Sequence, residues 1–352
     1  MTAGTLSGAA NQLRGEATQA AKRAMLQLGI VPPPLRVQLD VTDRCNFQCP
    51  TCSKAAVPPS PRELTLDQWT SALDRIRSVP LMREISISGG EPFTRPDIFE
   101  ILEEAKAVRL RVVLLTNGWL VKRDTLQRLE EIGVDRLLVS LNSLRESGHD
   151  ESRAKAGSFA RIMQLIDDWR AGERGMGLSL ATVVTEANCG ELSSIGRFAA
   201  DKGLSGVIFQ VLLPVEVHYP FGRDRTMREA QDLWYESNPY WVRNTKLLRS
   251  EVRVLLELQR AGGTVINPPS QLRRFPPYYE NPQEVGTWPC LGTLSRLYIG
   301  PFGDMRLCYG FPPIGNILRD DPRECWRSAA AAEIRRRSRS CTRLCRMMNS
   351  SL

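Results

Sequence analysis

The 352-residue chain has only two histidines, His149 and His218, and neither lies in a His-Glu-x-x-His pattern. Zinc sites built from three histidines are therefore excluded. Long apolar runs are also missing, because a membrane-spanning helix needs about 20 consecutive apolar residues and no run here approaches that length. The first thirty residues show no charged head followed by an apolar stretch, so we expect no secretory signal, no membrane segment and a cytoplasmic location.

Cysteine and positive charge are in excess, with nine cysteines and a formal net charge of +8. Where no secretory signal is expected, nine thiols indicate metal ligands or redox groups rather than disulfides. The positive charge is typical of proteins that bind nucleic acid or another anionic partner. Two classes therefore stay open at this point, a cluster-dependent enzyme and a zinc-containing basic nucleic-acid-binding protein.

Short β-rich runs alternate with amphipathic helical stretches between about residues 35 and 214. Strands that alternate with helices in this way predict right-handed crossovers and a parallel α/β sheet. Six β/α units fit a doubly wound sheet or an incomplete barrel, since a full barrel of eight units needs about 250 residues. The predicted strands are Leu35–Val41, Glu84–Ser88, Arg111–Thr116, Arg136–Leu141, Leu178–Val184 and Val207–Leu212.

Changes of composition along the chain predict four segments. The first is a helix that ends before three consecutive prolines, and the second is the α/β core. The third mixes helix with aromatic residues and prolines, and the fourth is a small cysteine-rich α+β unit. In order, the segments are residues 1–34, 35–215, 216–287 and 288–352.

The third segment carries one predicted element, and the fourth carries a hairpin and a short Arg-rich helix. A long helix is predicted from about Arg228 to Gln259, bent near Asn238. A β-hairpin is predicted in which Leu294–Ile299 turns back into Met305–Tyr309.

Three cysteines, Cys45, Cys49 and Cys52, lie within eight residues directly after the first predicted strand. In parallel α/β folds, the loops at the carboxyl ends of the strands bind ligands. Three thiolates on such a loop can hold three irons of a 4Fe–4S cluster and leave the fourth iron open to an exogenous ligand. Structural zinc competes with this interpretation, but it requires four ligands, and no histidine or fourth cysteine lies nearby in the sequence. A disulfide would leave an odd thiol, so the spacing favours the iron–sulfur site.

The second predicted strand ends in Ser88-Gly-Gly-Glu-Pro92, one β/α unit after the cysteine loop. Together, the Cys-x3-Cys-x2-Cys loop and this Gly-Gly-Glu-Pro turn resemble the radical S-adenosylmethionine (SAM) superfamily. The resemblance implies a partial (β/α)6 TIM-like barrel and a SAM-binding turn made by Gly89, Gly90, Glu91 and Pro92. The two glycines would allow close backbone approach to the ligand, and Glu91 would offer an anion to the methionine ammonium.

Further polar residues follow the third and fourth predicted strands. The resemblance places Asn117 at the same rim and implies ribose contacts for Ser140 and Asn142. It also implies that Arg153 contacts the SAM carboxylate. Each of these residues has a simpler interpretation as a loop residue without a function. Thr51 departs from the family, which usually carries an aromatic residue just before the third cysteine.

The implied chemistry transfers single electrons. A reduced 4Fe–4S cluster passes an electron to bound SAM, which cleaves to methionine and a 5′-deoxyadenosyl radical, and this radical takes a hydrogen atom from the substrate. Such an enzyme requires a reducing partner of the flavodoxin or ferredoxin type.

Four more cysteines lie near the C-terminus, namely Cys290, Cys308, Cys341 and Cys345. On geometry alone, they can close a zinc site or a fully ligated 4Fe–4S cluster. Beside the radical SAM pattern, their layout resembles the SPASM/Twitch extension, which implies an auxiliary 4Fe–4S cluster. The full SPASM form has more cysteines and two clusters, so one auxiliary cluster is expected here. The fifth cysteine of this segment, Cys325, is interpreted as a buried structural thiol.

Cys189 follows the fifth predicted strand. A free thiol at the catalytic rim can return a hydrogen atom to a substrate radical, as a radical epimerase requires, so Cys189 is a candidate hydrogen donor. The alternative is a cysteine that only packs at the start of a helix.

One feature of the sequence bears on the substrate. Residues 216–290 hold ten aromatic residues interleaved with arginines. Such a surface can grip a peptide, a sugar or an anionic metabolite, or its rings can simply pack this segment against the barrel. We expect an oxidoreductase that dehydrogenates or oxidatively crosslinks a small metabolite or a peptide by passing the electron of the substrate radical to the auxiliary cluster. A peptide substrate would require direct capture or a separate recognition protein. Epimerisation through Cys189 is the alternative.

The basic excess has a local explanation. Residues 323–346 contain eight arginines and two glutamates around Cys341 and Cys345. Thiolate-ligated clusters are anionic, so this positive charge has an anionic neighbour and favours ligation by the thiols. Nucleic acid is therefore not expected as a partner.

Overall fold

The computed structural model describes residues 25, 30–52, 62–172, 175–213, 233–287, 290, 292–341 and 344–345. Six parallel strands alternate with helices between residues 36 and 211, which confirms the predicted α/β class. The predicted strand boundaries agree with the observed ones to within one residue, because each strand is a short run that buries apolar residues, in β1 and β2 at alternate positions. Strands β1 to β6 are Arg36–Asp40, Glu84–Ser88, Arg111–Thr116, Arg136–Ser140, Gly177–Val184 and Gly206–Val211.

The helices pack on the sheet through apolar stripes. The first helix begins at a capping box, in which the Thr65 hydroxyl accepts from the Gln68 N–H and the Gln68 side chain accepts from the Thr65 N–H. Its residues Trp69, Leu73 and Ile76 are buried in the core. In the described residues, helices α1 to α11 are Leu66–Arg77, Ile98–Ala107, Arg123–Ile132, Glu146–Arg153, Ser158–Ala171, Leu192–Asp201, Thr245–Arg260, Pro269–Leu272, Phe275–Glu280, Pro322–Arg327 and Ala329–Arg339.

A hairpin from the C-terminal segment joins the same sheet. It consists of β7, Arg296–Ile299, and β8, Asp304–Arg306, and the short strand β9, Gly315–Asn316, pairs with β8. Strand β7 runs parallel to β1, with Ile299 opposite Leu39. The described residues thus form one nine-stranded sheet in the order β6-β5-β4-β3-β2-β1-β7-β8-β9. The cysteine-rich segment therefore extends the barrel wall at β1.

The predicted helix over residues 228–259 is confirmed over residues 245–259 and wrong over residues 233–244. Residues 233–244 are not helical, and α7 begins only at Thr245, after the Asn244 side chain caps the helix. Pro239 lies in the non-helical part, where it disfavours the helical conformation of the residue before it. Residues 228–232 of the predicted helix lie outside the described residues.

Several aromatic residues of the connecting segment pack inside the protein. Trp241, Tyr278 and Tyr279 are at most 3% exposed, and their ring centroids lie between 4.7 and 5.2 Å apart. The Tyr278 and Tyr279 hydroxyls donate to the carbonyls of Leu212 and Val184, where β6 and β5 end. These rings hold the segment against the barrel, which favours the packing interpretation for them. Three other aromatic residues of the segment lie outside the described residues.

The predicted N-terminal helix, which ends before Pro32, falls mostly outside the described residues, and Met25, which is described, is helical. Residues 30–34 lead into β1 without helical structure. In the described part of the chain, no helix is long and apolar enough to cross a membrane.

Candidate active site

The cysteine loop, residues 43–52, follows β1 at the carboxyl edge of the sheet. Cys45 and Cys52 are exposed, whereas Cys49 is buried. The Phe47 N–H points at the Cys45 sulfur at 3.4 Å, and the Cys52 N–H donates to the Cys49 carbonyl at 3.0 Å. Burial raises the pKa of Cys45 to about 11, and the neighbouring Cys49 and Cys52 thiols add to the rise. The three thiols therefore lie near one another, and Cys45 stays protonated until a metal displaces its proton.

The Gly-Gly-Glu-Pro turn packs directly against the cysteine loop. Gly89 has a φ of +145°, and a Cβ there would lie 2.4 Å from the Thr42 carbonyl oxygen. A Cβ on Gly90 would lie 2.0 Å from the Arg44 carbonyl oxygen. The Gly90 and Glu91 N–H groups donate to these two carbonyls at 2.7 and 2.8 Å. Glycine is therefore needed at both positions because the backbone around the cysteine loop comes so close to the turn. The sequence alone suggests a different reason, namely the close approach of a ligand.

Glu91 is 1% exposed and joins the turn after β2 to the end of β3. Its carboxylate accepts from the Thr116 hydroxyl at 2.8 Å and from the Asn117 N–H at 2.7 Å. Burial raises the pKa of Glu91 to about 7, while these hydrogen bonds and the charge of Arg153 oppose the rise. Pro92 then begins a short 3-10 helix and is buried. Glu91 thus shapes the rim, and its contact with the methionine ammonium stays a prediction.

Asn117 connects the end of β3 to the cysteine loop. Its amide donates to the Asn46 side-chain oxygen at 2.8 Å, and its own oxygen accepts from the Trp119 N–H at 3.0 Å. The Trp119 ring meets Phe47 edge-on, with the ring centroids 5.9 Å apart. Asn46, Phe47 and Trp119 were missed by the sequence analysis. Phe47 lies inside the cysteine motif, but Asn46 and Trp119 give no sequence signal because only the fold brings them together.

Ser140 and Asn142 lie at the end of β4, and their environments differ. Ser140 is half-buried, whereas Asn142 is 2% exposed. The Asn142 side chain accepts from the Val183 N–H at 3.1 Å and donates to the Ser152 hydroxyl at 3.1 Å. Its backbone N–H donates to Nδ1 of His149 at 3.2 Å. Because Asn142 is engaged in joining β4, β5 and α4, the geometry favours Ser140 over Asn142 as a ribose contact.

Arg153 ends α4 and lies beside the cysteine loop. Its guanidinium carbon is 5.6 Å from the centre of the Phe47 ring. Burial raises the pKa values of Cys49 and Glu91, and the charge of Arg153 opposes both rises. Burial, with a smaller effect of Arg153, also lowers the pKa of His149 to about 4, so that ring is neutral and can accept a hydrogen bond. The structure therefore brings Arg153 to the predicted rim.

The four C-terminal cysteines meet beyond the hairpin. Cys308 follows β8, and burial raises the pKa of its thiol well above the usual range. The thiols of Cys290, Cys341 and Cys345 add to this rise, so all three lie near Cys308. The Gly310 N–H donates to the Cys308 sulfur at 3.3 Å. Cys308 and Cys345 are 8% and 7% exposed, so this set is more enclosed than the cysteine loop.

The donor chemistry of both thiol sets fits 4Fe–4S clusters, because cysteine thiolates are the usual ligands of such clusters. Within the described ranges, no three His, Cys, Asp or Glu side chains converge closely enough to hold one ion. A 4Fe–4S cluster binds each thiolate to a different iron, so its ligands stand farther apart than those of a tetrahedral zinc. The Phe47 and Gly310 N–H groups that point at cysteine sulfurs also suit cluster ligands, whose potentials such hydrogen bonds tune.

The remaining two cysteines lie apart from both sets. Cys325 is 8% exposed, and a Cβ on Gly315 would lie 2.5 Å from its sulfur, so it is buried as the sequence predicts. Cys189 follows β5 but is only 2% exposed, with its sulfur 3.5 Å from the Glu186 carbonyl. Burial raises the pKa of Cys189 to about 11. Its role as a hydrogen donor stays a prediction, and its burial favours packing.

Comparison with known protein families agrees with this geometry. Residues 39–184 match the radical SAM superfamily, and residues 290–347 match SPASM, an iron–sulfur cluster-binding domain. The chain therefore belongs to the radical SAM superfamily and carries a SPASM domain. Its cofactors are accordingly SAM and 4Fe–4S clusters, and the SPASM domain binds the auxiliary part of these clusters.

Individual relatives differ in what their names say they do. An AdoMet-dependent heme synthase of Methanosarcina barkeri is 28% identical over 310 residues, 84% of this chain and 83% of that protein. A PqqA peptide cyclase of Ruegeria pomeroyi is 31% identical over 174 residues, so the match spans 49% of this chain and 46% of that protein. Among solved structures, Streptococcus suis SuiB bound to S-adenosylmethionine has a TM-score of 0.65 at 16% identity, covering 91% of this chain and 72% of that chain. This last likeness shows the fold.

Proposed function

We propose that the chain is a radical SAM oxidoreductase that dehydrogenates or crosslinks its substrate. Cys45, Cys49 and Cys52 hold the SAM-binding cluster, and the four C-terminal cysteines hold one auxiliary cluster. When bound, these groups supply a 5′-deoxyadenosyl radical that takes a hydrogen atom from the substrate and an acceptor for the electron that remains. The substrate loses one hydrogen atom, one electron and one proton in total.

The pairing of β1 on both of its edges carries this proposal. On one edge, Asp40 lies opposite Ser88, directly before the Gly-Gly-Glu-Pro turn. On the other edge, β1 pairs with β7, and β7 leads through the hairpin to Cys308. Only β7 lies between β1, which leads into the cysteine loop, and β8, which leads to Cys308, and neighbouring strands lie about 4.8 Å apart. The two cysteine sets are therefore attached to one sheet, and this shared support favours substrate oxidation over a redox-neutral rearrangement.

The side chains at the rim bind and orient the reactants. Arg153 offers a cation to the SAM carboxylate, and Ser140 offers a hydroxyl to the ribose. Glu91 and Asn117 hold the ends of β2 and β3 against the cysteine loop. The edge-on pair formed by Phe47 and Trp119 covers one side of the loop and limits the access of water.

A buried polar group on β1 can receive the substrate proton. Asp40 is 1% exposed, and one of its carboxylate oxygens lies 3.5 Å from the Tyr309 hydroxyl. The Gln38 amide donates to the Tyr309 oxygen at 3.0 Å and to the other Asp40 oxygen at 3.3 Å. Asp40 ends β1, which leads into the cysteine loop, and Tyr309 directly follows Cys308, so this group connects the strand before the first cysteine set with a neighbour of the second. Its position supports Asp40 as the proton acceptor.

The substrate class and the partners are part of the proposal. The relatives include a peptide cyclase and a heme synthase, and SuiB has also been solved bound to precursor peptide SuiA. These names support a peptide or a small metabolite as substrate. We further propose a flavodoxin- or ferredoxin-type reducing partner and, for a peptide, either direct capture or a separate recognition protein.

The test is anaerobic reconstitution of the whole chain with iron and sulfide. We expect about eight irons per chain and release of 5′-deoxyadenosine from SAM under reduction. With precursor peptides and tetrapyrroles as probes, mass spectrometry should find a product that lacks two hydrogen atoms. Zinc without iron would contradict the proposal.

An epimerase would behave differently in the same assay. Its product would have the substrate's mass in ordinary water and would gain one deuterium in deuterated water. In that case, Cys189→Ala should abolish the product while 5′-deoxyadenosine still forms. An oxidised product that is unaffected by Cys189→Ala is the result expected here.

A further inference from the structure

The carboxylate of Glu63 lies behind the cysteine loop. It accepts hydrogen bonds from Thr42, Asp43 and Arg44, the three residues directly before Cys45. The Thr42 hydroxyl donates to it at 3.0 Å, and the Asp43 N–H donates at 2.7 Å. The Arg44 guanidinium adds a contact at 3.3 Å. Glu63 is only 9% exposed, so these donors replace water around its charge.

Arg95 reaches the same place from the residues that follow the Gly-Gly-Glu-Pro turn. It is 5% exposed, and its guanidinium donates to the Val41 carbonyl at 2.9 Å and to the Leu64 carbonyl at 3.0 Å. A second pair of hydrogen bonds, at 2.9 and 2.7 Å, binds it to the Asp97 carboxylate. Its charge also lies 3.9 Å from Glu63.

The auxiliary hairpin is attached to the same point. The Leu64 N–H donates to the Pro301 carbonyl at 2.8 Å, and Pro301 lies in the turn between β7 and β8. Glu63 and Leu64 therefore contact the cysteine loop, the segment after the Gly-Gly-Glu-Pro turn and the hairpin that leads to Cys308. The sequence separations are large, so these contacts exist only in the folded chain.

We propose that Glu63 is a positioning residue for the radical SAM site. The carbonyls of Thr42 and Arg44 receive the N–H groups of Gly90 and Glu91, so a shift of this short segment would displace the turn and the cysteine loop together. By accepting from three consecutive residues, Glu63 fixes that segment in the position that SAM binding requires. This inference concerns SAM binding alone and does not depend on the proposed oxidation.

The test is Glu63→Gln in the full-length, reconstituted protein, with SAM itself as the probe. The substitution keeps the size of the side chain but turns one acceptor oxygen into a donor that opposes the donors around it. We expect the iron content to stay at the wild-type level while the Kd for SAM rises about tenfold or more. The change that SAM induces in the electron paramagnetic resonance (EPR) spectrum of the reduced cluster should shrink in parallel.

Glu84→Gln is the matched control. Glu84 also pairs with arginines, at 3.5 Å from Arg36 and 3.9 Å from Arg111, but it lies at the opposite end of β2. We expect SAM affinity and the EPR response of this variant to equal those of the wild type. Glu63→Asp, which keeps the charge, should recover part of the affinity lost in Glu63→Gln.

Two results would overturn the proposal. One is a Glu63→Gln protein with full iron and a wild-type Kd for SAM. The other is a lower unfolding temperature with normal SAM binding by the folded fraction, since that describes a structural role only. If Glu63→Gln does not fold, Arg95→Lys is the variant to test. Lysine keeps the positive charge but cannot make the several hydrogen bonds by which the planar guanidinium joins Val41, Leu64 and Asp97. Weakened SAM binding in Arg95→Lys supports the proposal, and normal binding contradicts it.

Discussion

The two cysteine sets of this chain differ in enclosure, although they belong to one sheet. The cysteine loop has two exposed thiols, Cys45 and Cys52, at the rim of the barrel. In the C-terminal set, Cys308 and Cys345 are buried, and the other two members are half-buried. Three thiols at an open rim suit a cluster that must admit a ligand to its fourth iron, whereas four enclosed thiols suit a cluster that only exchanges electrons.

The surroundings of the two sets differ as well. Around the cysteine loop, Glu63, Glu91 and Asn117 hold three chain segments in fixed relation by hydrogen bonds. At the C-terminal set, the hairpin carries Cys308 while the chain brings the other thiols from separate segments. These differences indicate that the first site holds its segments in the positions that a bound ligand requires, whereas the second site keeps its thiols away from solvent.

Removing the loop thiols should have the largest effect. We expect the combined variant Cys45→Ala, Cys49→Ala and Cys52→Ala to form no 5′-deoxyadenosine and to retain about four irons. Iron analysis and chromatography of the SAM products measure both quantities. Complete loss of iron would show that the two sets are not independent.

Removing an enclosed thiol should have the complementary effect. Cys308→Ala should lose the auxiliary iron and the oxidised product but still cleave SAM under reduction. The measurement compares 5′-deoxyadenosine with product in one assay. If SAM cleavage disappears together with the auxiliary iron, the assignment of SAM cleavage to the cysteine loop and of substrate oxidation to the C-terminal set is contradicted.

Gly90→Ala tests the close packing of the first site. Its Cβ would lie 2.0 Å from the Arg44 carbonyl oxygen, so the backbone must shift, at a cost of about 1–3 kcal/mol of unfolding free energy. SAM affinity should fall at the same time. Denaturant unfolding and SAM titration measure these effects. Gly175→Ala is the control, because a Cβ there meets nothing within 4 Å, and a decrease of equal size in this control would contradict the argument.

The pH dependence of stability tests the neutral state of His149 beside the first site. Its pKa is about 4 in the folded chain against 6.5 in the reference state, so the unfolded chain binds more protons between these values. Stability should therefore fall as the pH drops from about 6.5 towards 4, by up to about 3 kcal/mol. Glu91 has a raised pKa and acts in the opposite direction, so the difference between wild type and His149→Gln is the quantity to measure. A difference that does not change with pH would contradict a neutral His149.

Cys325→Ala should have the smallest effect. This thiol is buried against Gly315 and lies apart from the four cysteines of the C-terminal set. We expect unchanged iron content and a loss of about 1 kcal/mol in unfolding free energy. A loss of iron would make Cys325 a ligand.

The sequence predicts local elements better than their connections. The six parallel strands were predicted closely because each is a short run with apolar residues on at least one face, and amphipathic helical patterns separate the runs. The predicted long helix is correct from residue 245 onwards but begins too early, because Asn244 caps α7 sixteen residues after the predicted start at Arg228. Nothing in the sequence signals that β7 pairs with β1, since edge pairing depends on which surfaces meet in the folded chain.

The candidate site shows the same division. The cysteine loop and the Gly-Gly-Glu-Pro turn are contiguous motifs, so the sequence identifies them directly. Glu63 and Arg95 carry no such signal, because their partners lie on other segments and only the tertiary structure joins them. The structure also separates Ser140 from Asn142, which the sequence pattern treats alike, because the Asn142 side chain bonds to β5 and α4.

The most direct test of the two-site account is EPR spectroscopy of the reduced, reconstituted protein with and without SAM. The account predicts that SAM changes the spectrum of Cys308→Ala and leaves the spectrum of the triple variant at Cys45, Cys49 and Cys52 unchanged. A SAM response that persists in the triple variant, or that disappears in Cys308→Ala, would contradict it.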